Sequence, residues 1–281
     1  MRAVMIGLAS LTIATNAFAA DFLRGTSYEP PPSQLGYDWS GVYIGGQASY
    51  SSNHYGLTKS TRPVLRNIFR QLVVEDEFKV SDMASLPTRD AEGSGFGGFI
   101  GYNSQWGDAV VGLELNYSRI GGGTTFSSDT IGRAFTTSNE FRNDVYIDSS
   151  ASARLTDLAS LRLRAGYAWG WIMPYGMVGV AAGRADAMRS ATVHLTETDV
   201  SASALNLNDG IDPRPGGSIN TTQTQTRSGQ IVFGYMFGAG VDIGLLPNVF
   251  VRAEWEMAQL GAVLGIPITV NSFRVGAALK Y

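Results

Sequence analysis

Residues 228–281 read SGQIVFGYMFGAGVDIGLLPNVFVRAEWEMAQLGAVLGIPITVNSFRVGAALKY and contain three segments in which apolar residues alternate with small or polar ones. Such alternation with a period of two predicts β-strands that have two different faces. The first segment, residues 230–244, is far longer than the usual strand of about 5 to 6 residues. A tilted strand needs about 9 to 11 residues to cross a bilayer. These residues therefore predict three neighbouring strands of a membrane β-barrel.

One face of each predicted strand is apolar, and the other face carries the charged residues. Nearer the N-terminus, the same alternation places Glu114, Arg162 and Arg164 on polar faces. An Arg or Lys exposed to lipid near the bilayer midplane costs about 2 to 4 kcal/mol. The charged faces are therefore predicted to line the interior, where opposite charges pair across strands. This lumen charge network is expected to comprise Glu114, Arg162, Arg164, Asp242, Arg252, Glu254, Glu256, Arg274 and Lys280.

The first residues have the composition of an export signal. Arg2 supplies a positive charge, residues 4–13 form an apolar core too short to span a membrane, and residues 17–19 match a small-residue cleavage site. We expect a signal peptide over residues 1–19. Residues 20–36 include three consecutive prolines and show no alternation, which predicts an extended periplasmic leader. The barrel domain is predicted to occupy residues 37–281.

Composition narrows the possible partners. The chain has no cysteine, so no disulfide supports it after export. The net charge is −3 and no basic tail is present, which argues against nucleic acid as a partner. Many of the 34 glycines lie within strand-like segments, where a curved, closed sheet uses glycine to bend.

Five further alternating segments bring the predicted number of strands to eight. They are residues 39–52, 93–104, 111–117, 161–167 and 173–186, and the facing of the last is left open. Three long polar inserts, residues 53–92, 121–150 and 187–227, alternate with short turns near residues 106, 170 and 247. Outer-membrane barrels show this asymmetry. The sequence thus predicts an all-β fold, an eight-stranded antiparallel transmembrane β-barrel with long extracellular loops and short periplasmic turns.

The three inserts invite separate interpretations. The second is interpreted as an exposed loop that can include paired strand extensions, and the third as a polar segment that cannot bury a core. In the first, Arg62, Arg66 and Arg70 recur every four residues, and apolar residues between 64 and 73 fit helical spacing. One hypothesis is an amphipathic helix that presents these arginines to lipopolysaccharide phosphates. The other, which we favour, is a strand that continues above the membrane with solvated charges.

Aromatic residues mark the predicted periplasmic boundary of the barrel. Trp and Tyr collect at membrane interfaces, where their rings meet the lipid head groups. The tryptophans at predicted periplasmic strand ends, together with the C-terminal tyrosine, are expected to form one girdle. This girdle comprises Trp39, Trp106, Trp169, Trp171 and Tyr281.

The sequence contains no strong catalytic or cofactor-binding motif. Its two histidines, His54 and His194, lie in polar inserts, and no metal-ligand spacing is present. Residues 93–98, GSGFGG, match G-x-G-x-x-G, but no helix is predicted to follow them, as a dinucleotide site requires. We therefore expect no enzyme activity, no metal and no cofactor.

Several stretches resemble a known family. They are DWSGVYIGG (residues 38–46), FGGFIGYN (96–103), LRLRAGYAW (161–169), MPYGMVGVAAG (173–183) and GAGVDIGLLPNVFVRAEW (238–255). They resemble the small outer-membrane β-barrel proteins of alphaproteobacteria, a porin-like surface-antigen family related to opacity-type and OmpA-type eight-stranded barrels. The resemblance implies an abundant, non-enzymatic structural protein of the cell outer membrane, of a kind sometimes proposed to adhere to hosts. The long inserts do not match the family.

One function and two alternatives follow. We expect an integral outer-membrane surface protein whose long loops make contacts or adhere. Its expected partners are outer-membrane lipid and lipopolysaccharide, the barrel assembly machinery, and a surface or host ligand of the loops. A small passive pore is the first alternative, although side chains fill an eight-stranded interior. An outer-membrane enzyme is the second, less favoured alternative.

Overall fold

The structure, a computed structural model, describes residues 37–201 and 216–281. The predicted signal peptide, the predicted leader and part of the third insert lie outside these ranges. The strands are β1 (Gly41–Tyr55), β2 (Arg89–Trp106), β3 (Ala109–Gly122), β4 (Thr125–Thr136), β5 (Phe141–Tyr167), β6 (Ile172–Asp199), β7 (Ser218–Leu246), β8 (Val249–Val263) and β9 (Ile266–Lys280). The helices are α1 (Arg62–Ile68) and α2 (Val73–Phe78), followed by one turn of 3-10 helix at Val80–Asp82.

Eight of these nine strands close into an antiparallel ring. Sequence neighbours pair from β1 to β3 and from β5 to β9, β9 returns to β1, and β3 pairs with β5. At the two joints, Ile44 lies opposite Leu279 and Leu113 lies opposite Leu163. Closure removes the free edges of an open sheet and satisfies every backbone group in lipid. The prediction of an eight-stranded antiparallel barrel is confirmed.

The remaining strand, β4, lies outside the ring. It pairs with the N-terminal half of β5, where Ile131 lies opposite Ile147, whereas the C-terminal half of β5 pairs with β3. β6 and β7 also continue beyond the ring, and His194 there lies opposite Asn220. We call this extension the wall. It comprises β4 and residues 141–156, 185–199 and 218–229.

The wall corrects the interpretation of the third insert, and in the second it consists of the paired strand extensions that the sequence allowed. The predicted polar segments, residues 121–150 and 187–227, contribute to strands β5, β6 and β7, which are 27, 28 and 29 residues long. Backbone pairing explains these lengths, because each strand satisfies its N–H and C=O groups on a neighbour whatever its outer side chains are. The prediction that the third insert cannot bury a core is wrong, since Val193 and Leu195 are buried.

The first insert folds into α1 and α2, so the favoured strand interpretation is wrong. Pro63 lies in the first turn of α1, where its missing N–H is not needed. Val64, Leu65 and Phe69 are buried, as the helical spacing predicts. No helix in the described parts of the chain is long and apolar enough to cross a membrane.

The outer surface of the ring is a continuous apolar band. Phe233, for example, is 75% exposed. On β6, whose facing the sequence leaves open, Val178 and Val180 point outward, whereas Met173 and Met177 are buried. So much exposed apolar surface suits a bilayer rather than water.

We expect Leu163→Arg to impair membrane insertion. Leu163 lies on the exposed face of β5 within the apolar band, and an Arg near the bilayer midplane costs about 2 to 4 kcal/mol. The folded fraction, measured from the gel mobility of unboiled samples after refolding into phospholipid vesicles, should fall. Ser128→Arg adds the same charge on the exposed face of β4 and should fold like the wild type. Equal folding of the two variants would contradict the assigned lipid face.

Candidate functional site

The interior of the ring holds eight charged side chains in one network. Three acid–base pairs lie directly opposite each other on neighbouring strands. These pairs are Glu114 with Arg162, Asp242 with Arg252, and Glu254 with Arg274. Arg164 and Glu256 complete the network through ion pairs with Glu114 and Arg162. All eight side chains are buried, and four carboxylates are balanced by four guanidinium groups.

Glu114 contacts three of the four arginines. Arg162 donates from Nε to Oε1 at 2.9 Å. Arg252 donates from Nη1 to Oε2 at 2.9 Å, and Arg164 Nη1 lies 3.3 Å from the same oxygen. The Tyr43 hydroxyl also donates to Oε2, at 2.7 Å. Since a buried charge is costly unless it is paired and hydrogen-bonded, Glu114 is the group on which the arginine arrangement depends.

The remaining carboxylates extend the network on either side of Glu114. Arg164 Nη2 donates to Asp242 at 2.6 Å. Arg274 makes a two-point contact with Glu256, at 2.6 and 2.8 Å, and Arg162 Nη1 donates to Glu256 at 3.0 Å. Bidentate pairs between arginine and carboxylate are among the strongest hydrogen-bonded ion pairs. The charges are therefore held in fixed positions rather than left mobile in the lumen.

Aromatic rings fill the space around the guanidinium groups. Arg164 Cζ lies 3.9 Å from the centre of the Tyr175 ring, and Arg252 Cζ lies 3.9 Å from the centre of the Phe99 ring. The Tyr175 hydroxyl donates to a network carboxylate at 2.6 Å. A glycine makes room for it, because a Cβ at Gly240 would lie 2.6 Å from that hydroxyl. Side chains thus occupy the lumen at this level.

Lys280, predicted as a ninth member of the network, lies at the periplasmic mouth instead. Its ammonium group donates to the carbonyl oxygen of Ser40 at 3.1 Å and to the carbonyl oxygen of Asp38. It also lies 5.3 Å from the centre of the Tyr37 ring. The prediction for Lys280 is wrong because this residue ends β9, so its side chain reaches the mouth rather than the network.

Trp39, predicted as part of the girdle, is buried at the same mouth. Its ring lies 4.4 Å from the Tyr37 ring and 5.8 Å from the Phe250 ring, measured between centres. Its backbone N–H donates to Gln105 Oε1 at 2.8 Å. Trp39 has the same odd-numbered parity as the inward-facing Tyr43, so the strand alternation itself places it inside. The girdle prediction is wrong for this residue.

The other four predicted girdle residues are exposed. Trp106 ends β2, Trp169 and Trp171 lie in the turn between β5 and β6, and Tyr281 follows β9. All four are on the short-turn side of the ring, where exposed aromatic rings suit a membrane interface. Their membership of one girdle stays a prediction.

The opposite end of the lumen is closed by a small helical unit. We call residues 57–86, which include α1 and α2, the cap. Val64, Leu65 and Phe69 form an apolar cluster with inward residues of the wall, among them Val145 and Val193. The interior is therefore filled at both ends, by aromatic rings at the mouth and by the cap on the long-loop side.

Arg189 fastens the cap to the barrel. Its Nη1 donates to the carbonyl oxygens of Ser60 in the cap, at 2.7 Å, and Leu264 in the β8–β9 turn, at 2.8 Å. Its Nη2 donates to Gln225 on β7 at 2.6 Å. Sequence reasoning missed this residue because it lies in an insert predicted to be a polar loop.

Two of the three arginines predicted to meet lipopolysaccharide are used within the cap. Arg62 forms a two-point ion pair with Asp82, and Arg66 Nη2 lies 3.6 Å from the same carboxylate. Arg70 is exposed just beyond α1. The helix hypothesis is therefore correct for the secondary structure, while these contacts give Arg62 and Arg66 a role inside the cap.

The two histidines lie on outer faces of different strands. His54 on β1 pairs with Asp90 on β2 at 2.6 Å, and His194 is exposed on the wall. Residues 93–98 lie within β2, which continues to Trp106. Across the described residues, no group of three or more His, Cys, Asp or Glu side chains could hold a metal ion.

A family model described as "Outer membrane protein beta-barrel domain" matches residues 6–280. The chain belongs to this family. It is therefore a protein of the cell outer membrane, and its apolar band contacts outer-membrane lipid. Since barrels of this kind have short periplasmic turns and long extracellular loops, the cap and the wall lie on the extracellular side.

Similar proteins include one relative and several solved structures. The "25 kDa outer-membrane immunogenic protein" of Brucella ovis is 22% identical over 280 residues, which cover 99% of this chain and 96% of the relative. Ail, the attachment invasion locus protein of Yersinia pestis, is 12% identical, with 86% of this chain and 99% of Ail covered and a TM-score of 0.34. Neisserial surface protein A is 13% identical, with coverage of 86% and 98% and a TM-score of 0.33.

Sequence reasoning named the charged residues of the lumen but missed their neutral partners. Gln47 Nε2 donates to Asn116 Oδ1 at 3.0 Å, and Arg274 Nη1 donates to the same oxygen at 3.2 Å. The alternation puts Asn116 on the same face as Glu114 and Tyr43 on the face opposite to Ile44, so a polar residue at an inward position was the available signal. Tyr175 gave no such signal, because the facing of its strand was open.

We expect Glu114→Gln to destabilise the barrel strongly. The substitution removes the negative charge shared by three buried arginines, and breaking a buried pair typically costs about 3 to 5 kcal/mol. Urea unfolding in phospholipid vesicles measures this change. The control is Glu92→Gln, an exposed carboxylate that accepts a hydrogen bond from Tyr50, which should change stability by less than about 1 kcal/mol. A Glu114→Gln protein as stable as the control would show that the buried charge is dispensable.

Acid should loosen the cap. Hydrogen bonds from Arg62 lower the pKa of Asp82 below its ordinary value. A carboxyl group whose pKa is lowered on folding stabilises the fold above its unfolded pKa of about 3.9 and loses this contribution as the pH falls through the folded pKa. The protection factors of the α1 amides, which correct for the pH dependence of intrinsic exchange, should therefore change little between pH 7 and about pH 4 and decrease below that range.

Asp82→Asn tests this assignment. At pH 7 the variant should show the lowered protection factors of the α1 amides that the wild type shows only in acid. Asp76→Asn changes an exposed acid on α2 and should leave the exchange of α1 unchanged. If Asp82→Asn behaved like Asp76→Asn, the ion pair with Arg62 would not stabilise the cap.

Proposed function

We propose that this protein is a non-enzymatic surface barrel of the outer membrane, whose lumen is closed and whose extracellular wall makes contacts outside the cell. The main support for a closed barrel is that side chains fill its lumen. Eight paired charges, the rings around them, the aromatic mouth and the cap occupy successive levels of the interior. A passage for ions would need each of these levels to rearrange.

The wall supports the second part of the proposal. It projects paired strands beyond the membrane, and its outer side chains are mainly polar, including Tyr146, Asp148 and Thr192. A rigid, polar, extended sheet suits contacts with a surface or host ligand. The barrel assembly machinery, a partner predicted from the sequence, belongs to the same proposal. It would bind β9 through the C-terminal aromatic residue, Tyr281, before the ring closes.

Two other functions have less support. A passive pore requires an open interior, whereas side chains fill a ring of eight strands. An enzyme requires a base next to a nucleophile, and the His54–Asp90 pair lies on the outer surface with both side chains more than half exposed. That exposure fits a solvated surface pair better than a catalytic site.

Conductance in planar bilayers tests the closed lumen. The refolded wild type should give no steady current. The double variant Arg162→Ala, Glu114→Ala opens the centre of the network while keeping its net charge, and it should raise the conductance. His54→Ala, Asp90→Ala removes an exposed pair and serves as the control. A large wild-type conductance that neither double variant alters would favour the pore.

A further inference from the structure

Unpaired arginines mark one side of the extracellular rim. Arg119 on β3, Asp157 on β5 and Arg184 on β6 lie directly opposite one another in a row across three strands. This row ends the apolar band, because the next outward residues on its membrane side are Tyr117 on β3 and Ala159 on β5. The row therefore lies where lipid head groups meet the barrel.

A second row lies just beyond the first. Arg154 on β5 is opposite Asp186 on β6, and Arg227 on β7 is opposite Ala187. Arg154, Asp186 and Arg227 line a cavity of about 170 Å³ on the outer surface, together with hydroxyl groups such as that of Ser228. Polar donors and two cations thus converge on a concave surface above the bilayer.

These four arginines differ from the lumen arginines in having no partner. Within the described residues, Arg119, Arg154, Arg184 and Arg227 form no ion pair and no side-chain hydrogen bond. The two acids between them are already engaged. Asp157 accepts hydrogen bonds from Tyr117 at 2.7 Å and Thr156 at 2.9 Å, and Asp186 accepts one from the Gly229 N–H at 2.7 Å. Four arginines and two aspartates leave the patch with a net charge of +2.

An apolar groove lies directly beneath the first row. It has a volume of about 460 Å³. Ala159 and Ala182 form its floor, and larger side chains such as Leu115, Val180 and Phe233 stand around them. A groove of this kind, on a surface that faces lipid, fits an acyl chain.

We propose that this face binds an outer-leaflet lipid with a phosphorylated head group, with phosphates on the arginines and an acyl chain in the groove. Arginine pairs with phosphate through two parallel hydrogen bonds. Arg119 and Arg184 lie two strands apart in the first row, about 10 Å, and Arg154 and Arg227 lie in the second row, so the four arginines are spread over a wider area than one phosphate group covers. The arrangement therefore favours a head group that carries at least two phosphates.

The other side of the rim would repel such a lipid. There β2 presents Glu92 and Asp90 on the outer face. Glu92 accepts a hydrogen bond from Tyr50, and Asp90 pairs with His54. The contrast confines the site to the arc from β3 to β7. It also differs from the lipopolysaccharide site that the less favoured hypothesis placed in the first insert, where Arg62 and Arg66 pair with Asp82.

Native mass spectrometry of the full-length mature protein in detergent micelles tests the arginines. With diphosphorylated lipid A as the probe, we expect one tightly bound lipid per chain. Two double variants test the two rows: Arg119→Ser with Arg184→Ser, and Arg154→Ser with Arg227→Ser. Each should weaken binding by about tenfold or more, because each removes charge-assisted hydrogen bonds to phosphate. Arg70→Ser, Arg133→Ser removes the same charge elsewhere on the extracellular side and should bind like the wild type. Equal weakening in all three double variants would reduce the site to general charge attraction and overturn it.

The groove and the source of the phosphate need separate arms. Ala182→Phe fills the groove with a side chain that the lipid face tolerates, so it should weaken lipid A binding and leave the folded gel mobility intact. Phosphatidylglycerol, with one phosphate, should bind more weakly than lipid A. Inorganic pyrophosphate and soluble heparin are the probes for free polyanions. If either bound as tightly as lipid A, and if Ala182→Phe left its binding unchanged, the patch would be a site for free polyanions and the lipid assignment would fail.

Discussion

A buried carboxylate must have a cation beside it, and this requirement ties the whole ring together. Glu114 on β3 meets arginines from β5 and β8, while the other network acids lie on β7 and β8. The remaining strands supply Tyr43, Phe99, Tyr175 and Arg274 around the same charges. Every strand of the ring therefore contributes a side chain to one buried cluster. The ion pairs of this cluster form together only when the ring is closed, so closure and charge pairing are expected to be cooperative.

The long strands pass between two media, and the chemistry of their faces reverses on the way. In the ring, β5 turns Leu161 and Leu163 outward and keeps Arg162 inside. In the wall, the same strand turns Asp148 outward and buries Ile147. The reversal coincides with irregular pairing between β5 and β6 near residue 156 and between β6 and β7 near residue 186. Bulges re-aim side chains in this way at the rims of barrels.

The ring was predictable from sequence because side chains that face lipid must be apolar. Strict alternation identified all eight strands, and the cost of a charge in lipid fixed which face was inward. For Trp39, the alternation along the strand gave the correct inward position, whereas its location at a strand end led to the wrong prediction of a girdle residue. The contacts of Glu114 were beyond prediction, because they depend on the register between strands distant in sequence.

The wall and the cap were less predictable because side chains that face water do not have to be apolar. A strand in water can carry serine and threonine on its outer face, so the segments around Asn143 and Thr222 resembled loops. The cap gave competing strand and helix patterns, and packing against Val145 and Val193 decided between them. Neighbouring strands, rather than local sequence, determined these structures.

The position of β4 separates two evolutionary pressures. Because the ring closes through β3 and β5 without it, residues 123–140 can lengthen, shorten or drift in composition while the membrane-spanning cylinder keeps its shape. Substitutions that destabilise the ring at an inward position of β5 are expected to affect folding much less on the outer face of β4. The fold thus combines a conservative part with a part that is free to diversify, and surface recognition can change without a new solution to the problem of crossing lipid.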